Sequence, residues 1–176
     1  MEKGLVHIYY GKGKGKTSLS LGIALRAWGW GKRIIVFQFL KPKDSPSGEL
    51  KAMERWGRDF KIIRFEQKHP LFDKKIKKEK LKENMKRAFR RVKQVVKEGK
   101  YDLVILDEIL NAIETGLISA KEVIELIRKK PPSLELVLTG RPWIKELKGY
   151  ADYISEIKEI KHPFQKGIKA RKGIEF

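Results

Sequence analysis

Two short stretches carry residue types that do chemistry on a nucleotide. The first is Gly11-Lys12-Gly13-Lys14-Gly15-Lys16-Thr17-Ser18. Glycines let backbone N–H groups turn toward an anion, Lys16 brings a charge to phosphate oxygens, Thr17 offers a hydroxyl to Mg²⁺, and a helix N-terminus behind them adds positive potential. The second is Asp107-Glu108, adjacent carboxylates at the end of the apolar run Leu103-Val104-Ile105-Leu106. Placed opposite Thr17, they can hold Mg²⁺ directly or through water. Alone, an apolar run ending in acids says little, and a Gly/Lys-rich stretch can be a plain surface loop. Together they predict a site for a nucleoside triphosphate with its metal ion.

For these groups to meet, the loop must join a strand to a helix, and the acidic strand must end at the same edge of the sheet. Leu5 to Tyr10 reads as a strand and Thr17 to about Trp28 as a helix closed by Gly29 and Gly31. The acidic strand is expected beside the loop's own strand. Further strands are read at Arg33–Phe39, Phe60–Phe65, Leu134–Thr139 and Tyr153–Ile160, and helices at Glu49–Trp56, Lys74–Glu98, from the Ser119 capping box to Arg128, and Trp143–Lys148. The alternation predicts an α/β fold of the three-layer P-loop type, with a mostly parallel sheet of about six strands. The loop departs from the usual spacing. With Gly15-Lys16-Thr17 in register, the first glycine of G-x-x-x-x-G-K-T falls on Tyr10, and the nearest glycine, Gly11, leaves the loop one residue short.

Composition narrows the class. At 176 residues and 41% hydrophobic content the chain supports one buried core and reads as a single domain, 1–176, with no repeat or linker. No stretch has membrane-spanning length and Met1-Glu2-Lys3-Gly4 has no signal-peptide plan, so a cytoplasmic protein without membrane partners is expected. The absence of cysteine excludes thiolate metal sites and a cysteine nucleophile. The net charge of +19 raises nucleic-acid binding, but much of the excess lies on the Lys74–Glu98 helix, where a solvated face explains it better.

Other candidates sit at strand ends. In open parallel sheets the carboxyl edge takes ligands, which selects Gln38, Lys41 and Ser47-Gly48-Glu49 as substrate contacts, an ordinary polar connector being the alternative. Arg141 follows the Leu134–Thr139 strand and would grip phosphate oxygens with its fork, or else form a surface ion pair. The tail from Lys161 to Phe176 is too glycine-rich for helix and is expected to wrap over the site or onto a partner chain.

The short loop, Gln38-Phe39-Leu40-Lys41, Ser47-Gly48-Glu49, Leu106-Asp107-Glu108, Leu138-Thr139-Gly140-Arg141, Ala151-Asp152, and the tail segments Lys161-His162-Pro163-Phe164 and Gly167-Ile168-Lys169-Ala170-Arg171-Lys172-Gly173-Ile174-Glu175 together resemble the ATP:corrinoid adenosyltransferases of the BtuR/CobO/CobP type. The resemblance covers nearly the whole chain. It implies a RecA-like fold, usually a homodimer, that moves the 5′-deoxyadenosyl group of ATP onto the reduced cobalt of a corrinoid (cobyrinic acid diamide, cobinamide or cobalamin) and releases triphosphate. It further implies corrinoid contacts from Gln38, Lys41, Phe72, His162 and Phe164; because no flavin or redox-metal motif is visible in the sequence, an external electron donor is expected. Lys16 and Arg141 would be the catalytic cations, and Thr17, Asp107 and Glu108 the Mg²⁺ ligands. Two departures stand out. Lys12 replaces a frequent Asn, and the stretch Phe65–Phe72 lacks the tryptophan of the Gly-Phe-Thr-Trp-like segment common in the family. A P-loop kinase or NTPase acting at the γ-phosphate, or a basic nucleic-acid-binding ATPase, is the competing reading.

Overall fold

The structure, a computed structural model, describes residues 3–41, 45–65 and 78–176. Six strands, β1 (Val6–Tyr10), β2 (Ile34–Gln38), β3 (Phe60–Arg64), β4 (Leu103–Asp107), β5 (Glu135–Gly140) and β6 (Tyr153–Glu156), form one sheet in the order β3-β2-β4-β5-β1-β6. Every pairing is parallel. Helices α1 (Lys16–Gly29) and α2 (Gly48–Trp56) pack on one face through Ala24, Val36, Ile105 and Val137; α3 (Lys78–Glu98), α4 (Ile109–Glu114) and α5 (Ala120–Lys129) cover the other through Phe37, Met85, Phe89, Leu106 and Leu138. This is a three-layer α/β fold with an all-parallel sheet. β2 and β4 are buried along their whole length, which is why their sequences run apolar rather than alternating.

The acidic strand is not beside the loop's strand, contrary to the expectation from its sequence. β4 pairs with β2 and β5, and β5 separates it from β1. The apolar segment Leu136-Val137-Leu138 needs cover on both edges and both faces, and the interior position between β1 and β4 supplies it. The carboxylates still reach the loop because α1 leaves β1 and runs back over β5 and β4, carrying Thr17 across the intervening strand.

Two other boundaries differ from the sequence reading. The final strand stops at Glu156 rather than Ile160, because Ile157 turns to bond Tyr10 O through its N–H (2.7 Å) and to accept the Gly13 N–H (2.8 Å). The segment after Pro142 forms a 3-10 helix, Lys145–Tyr150, with Leu147 buried under it. Helix α4 went unread, since six residues directly after a strand give too little periodicity. The α3 stripe Leu81, Met85, Ala88, Phe89, Val92 and Val96 is buried as its spacing requires, and Ser119 and Glu122 make the expected capping box on α5. No helix among the described residues is long and apolar enough to cross a membrane.

Candidate functional site

The loop between β1 and α1 lies against Ile157 and Lys158, directly after β6. Gly13 is glycine because a Cβ there would sit 2.7 Å from Lys158 O and 2.8 Å from Ile157 O. Gly15 holds φ +113 and turns the chain into α1. The amides of Gly11 and Gly13 are committed to Arg141 O (3.0 Å) and Ile157 O (2.8 Å), so these two glycines shape the loop without offering N–H groups to an anion. No side chain caps α1 and no acid lies in its first turn, which leaves the amides at its N-terminus aimed at the loop cavity.

Lys16 is buried and its Nζ donates to Gly11 O and Gly13 O, both at 2.7 Å. Burial pulls its ammonium below the ordinary pKa, with Glu108 and Asp107 opposing that shift and Arg141 adding to it. A cavity of about 460 Å³ opens over the loop, lined by Lys12 to Ser18, Glu108, Arg141, Glu159, His162, Phe164, Gln165, Ile174 and Glu175. Gly11 faces instead a neighbouring cavity of about 1000 Å³ that contains Tyr10, Trp143 and the other side of Arg141.

Asp107 is fully buried and saturated with donors. Its Oδ1 accepts from Thr17 Oγ1 (3.0 Å) and Thr139 Oγ1 (2.7 Å); its Oδ2 accepts from Lys41 Nζ (2.9 Å) and Gln38 Nε2 (3.3 Å). Glu108 is different. Its backbone N–H donates to Thr139 Oγ1 (2.9 Å), but among the described residues no hydrogen bond holds its carboxylate, and burial followed by repulsion from Asp107 pushes its pKa up. Among the described residues, no three of His, Cys, Asp and Glu cluster tightly enough to hold a metal ion by themselves. A hard cation that keeps water and phosphate oxygens in its shell fits better: Thr17 gives its hydroxyl to Asp107 and keeps its oxygen lone pairs, and Glu108 supplies a carboxylate at the cavity wall that no hydrogen bond from the described residues holds.

Several residues hold this arrangement in roles that the sequence reading did not assign. Thr139 joins Asp107 to the Glu108 backbone, and Asn111 Oδ1 accepts the Arg141 N–H at 2.7 Å, fixing the turn that presents Arg141. Arg64 donates to Gln38 Oε1 (2.6 Å), Ser47 Oγ (2.7 Å) and Glu49 Oε1 (3.3 Å). Thr139 stood in a segment that carried the resemblance, but its bonds, like those of Asn111 and Arg64, give no signal until the strand order is known.

Residues 2–176 match the family described as ATP:corrinoid adenosyltransferase BtuR/CobO/CobP. The chain belongs to that family. It is similar to a corrinoid adenosyltransferase of Escherichia coli (strain K12), 29% identical over 175 residues that cover 99% of this chain and 87% of that one. The corrinoid adenosyltransferase CobA of Salmonella typhimurium is 29% identical over 179 residues, with the same coverage of 99% and 87%. One from Sinorhizobium is 36% identical over 91 residues, 51% of this chain and 42% of that relative.

The residues that the family resemblance pointed to are dispersed. His162 and Phe164 line the loop cavity, where His162 Nδ1 accepts the Phe164 N–H at 3.1 Å. Gln38 is fully buried, its amide engaged by Glu49, Asp107 and Arg64, so in this conformation it supports the site from beneath and presents no surface to a ligand. Lys41 points at Asp107. Phe72 lies outside the described residues.

Proposed function

We propose that the protein transfers the 5′-deoxyadenosyl group of ATP to Co(I) of a reduced corrinoid, with inorganic triphosphate leaving. The observation that carries this reading is the loop cavity itself, with buried Lys16, uncapped α1 amides and Arg141 around one space, in a chain that matches the family over residues 2–176. The electron pair of Co(I) forms the Co–C5′ bond while the C5′–O bond breaks and its pair leaves with the triphosphate; cobalt ends as Co(III). Such a nucleophile carries no proton, so the step asks the protein for position and charge rather than for a base.

Lys16, the α1 amides and Arg141 would stabilise charge gathering on the triphosphate. Thr17 and Glu108 would hold Mg²⁺, with Asp107 behind them orienting the Thr17 hydroxyl. Bound there, the ion would supply Lewis-acid neutralisation of the leaving phosphates. The wall formed by His162, Phe164, Ile174 and Glu175 would exclude water from C5′ and face the corrinoid. We take residues 1–176 as one catalytic domain, acting in the cytoplasm as a homodimer and receiving its cobalt reduced by an external donor.

The test is incubation with ATP, Mg²⁺ and chemically reduced cobalamin, with the phosphate product identified. Adenosylated corrinoid and triphosphate in equal amounts are expected. ADP appearing in step with turnover, or activity indifferent to the oxidation state of cobalt, would overturn the reading.

A further inference from the structure

Among the described residues only two other than glycine adopt positive φ, Leu40 (φ 56) and Glu108 (φ 65). They lie at the ends of neighbouring strands. Phe39 N donates to Asp107 O (2.9 Å), extending the β2–β4 ladder by one step; Leu40 then turns left-handed with its side chain buried, and Lys41 comes back over Asp107. A bulky residue in that region is strained, and strain of this kind persists where surrounding structure enforces it, most often at working sites. What the turn at Leu40 achieves is the placement of the Lys41 ammonium 2.9 Å from Asp107 Oδ2.

That ammonium has a particular relation to Asp107. The other groups bonding this carboxylate, Thr17, Thr139 and Gln38, are neutral, so among the described residues Lys41 is its one direct ion-pair partner. The two ends of the pair differ in access: the Asp107 side chain is 0% exposed and that of Lys41 28%. Asp107 is therefore fixed, while Lys41 has a path to solvent. A buried carboxylate that loses its paired charge is strongly disfavoured, so the Lys41 ammonium stabilises Asp107 where it stands. A divalent ion held at Thr17 beside the same carboxylate would repel the ammonium.

We propose that Lys41 is a placeholder for the metal: it neutralises Asp107 while the site holds no cation, and it is displaced when the metal–nucleotide complex loads. This rests on the metal ion in the functional reading above, and it assigns Lys41 a positioning role in place of a corrinoid contact. Metal and lysine then compete, and removing the lysine's charge strengthens metal binding.

The test uses Mn²⁺ as a paramagnetic stand-in, titrated with the full chain and a non-transferable ATP analogue and followed by EPR. In Lys41→Met the Mn²⁺ dissociation constant is expected to fall on the order of tenfold, and in Lys41→Arg to stay near the wild-type value. The metal-free Met variant should melt below wild type, and Mn²⁺ with the analogue should close that gap. Lys41→Gln, which keeps a donor without charge, replaces the Met variant if that one does not fold. Unchanged or weakened Mn²⁺ binding in the uncharged variants overturns the proposal, as does wild-type protein that binds no Mn²⁺ with nucleotide. Neither result depends on which phosphate product is released, so the reaction class stands or falls separately.

Discussion

Lys16 is the residue on which the proposed chemistry leans most. Lys16→Ala is expected to lower kcat/KM by on the order of a hundredfold or more, since it removes charge stabilisation worth a few kcal/mol at the leaving group. Steady-state kinetics with reduced cobalamin checks this. Glu108 gives a prediction of opposite sign for stability. Its folded-state pKa is raised, so its contribution is fully present while the carboxyl is protonated and is lost as pH rises through the folded pKa. Glu108→Gln should therefore raise Tm at neutral pH by about 2–4 °C, lose that advantage below about pH 4, and still depress metal-dependent turnover. Thermal melts at the two pH values separate the stability effect from the catalytic one. Lys16, Thr17, Asp107, Glu108 and Arg141 were singled out in the sequence because they stand in or beside local motifs, and the structure brings them to one edge of the sheet. Thr139, Asn111 and Arg64 were given no role there, because each acts through a hydrogen bond to a residue 15 to 32 positions away.

At the scale of elements, the loop and the tail form one wall-to-wall unit. Residues 171–176 fold into a closed turn in which the Glu175 carboxylate accepts from the Arg171 backbone N–H (2.7 Å) and Nε (3.2 Å) and from Lys14 Nζ (2.7 Å) on the loop. Hydrogen bonds from Arg171 and then Lys14 hold the Glu175 carboxyl down at about 2. Deleting Lys161 to Phe176 is expected to leave a cooperatively melting sheet, because the tail contributes nothing to the buried core, yet to abolish adenosyl transfer. Full activity in the truncated protein would reduce the tail to an ordered end. Glu175→Gln isolates the clasp: faster cleavage of the tail by protease in the variant, slowed again by nucleotide, is the expected outcome. The tail's Gly-rich composition announced that it was not a long helix, and its place over the loop is seen in Lys14 Nζ bonding the Glu175 carboxylate, which no composition reveals.

The sheet order decides how the whole molecule comes together. Strand existence was legible because β2, β4 and β5 each carry an uninterrupted apolar run; strand order was not, because parallel neighbours carry no turn between them to declare the pairing. Sequence separation across the sheet is uneven. Gln38 meets Arg64 of β3 at a distance of 26 positions and Asp107 of β4 at 69, while Leu5 and Val6, entering β1, meet Glu135 and Asp152 at 130 and 146. Loop closure is costlier for the longer spans, and a chain made from its N-terminus acquires the near partners first. The order of assembly expected from these separations is β2 with β3, then β4, then β1 between β5 and β6. On that order β1, made before the other five strands, is the last of them to be paired. Pulse-labelled hydrogen exchange during refolding should find the amides of Ile34–Gln38 protected well before those of Val6–Tyr10. A half-made chain would carry the phosphate loop on an unpaired strand, so nucleotide binding becomes a property that the polypeptide gains only when its fold closes.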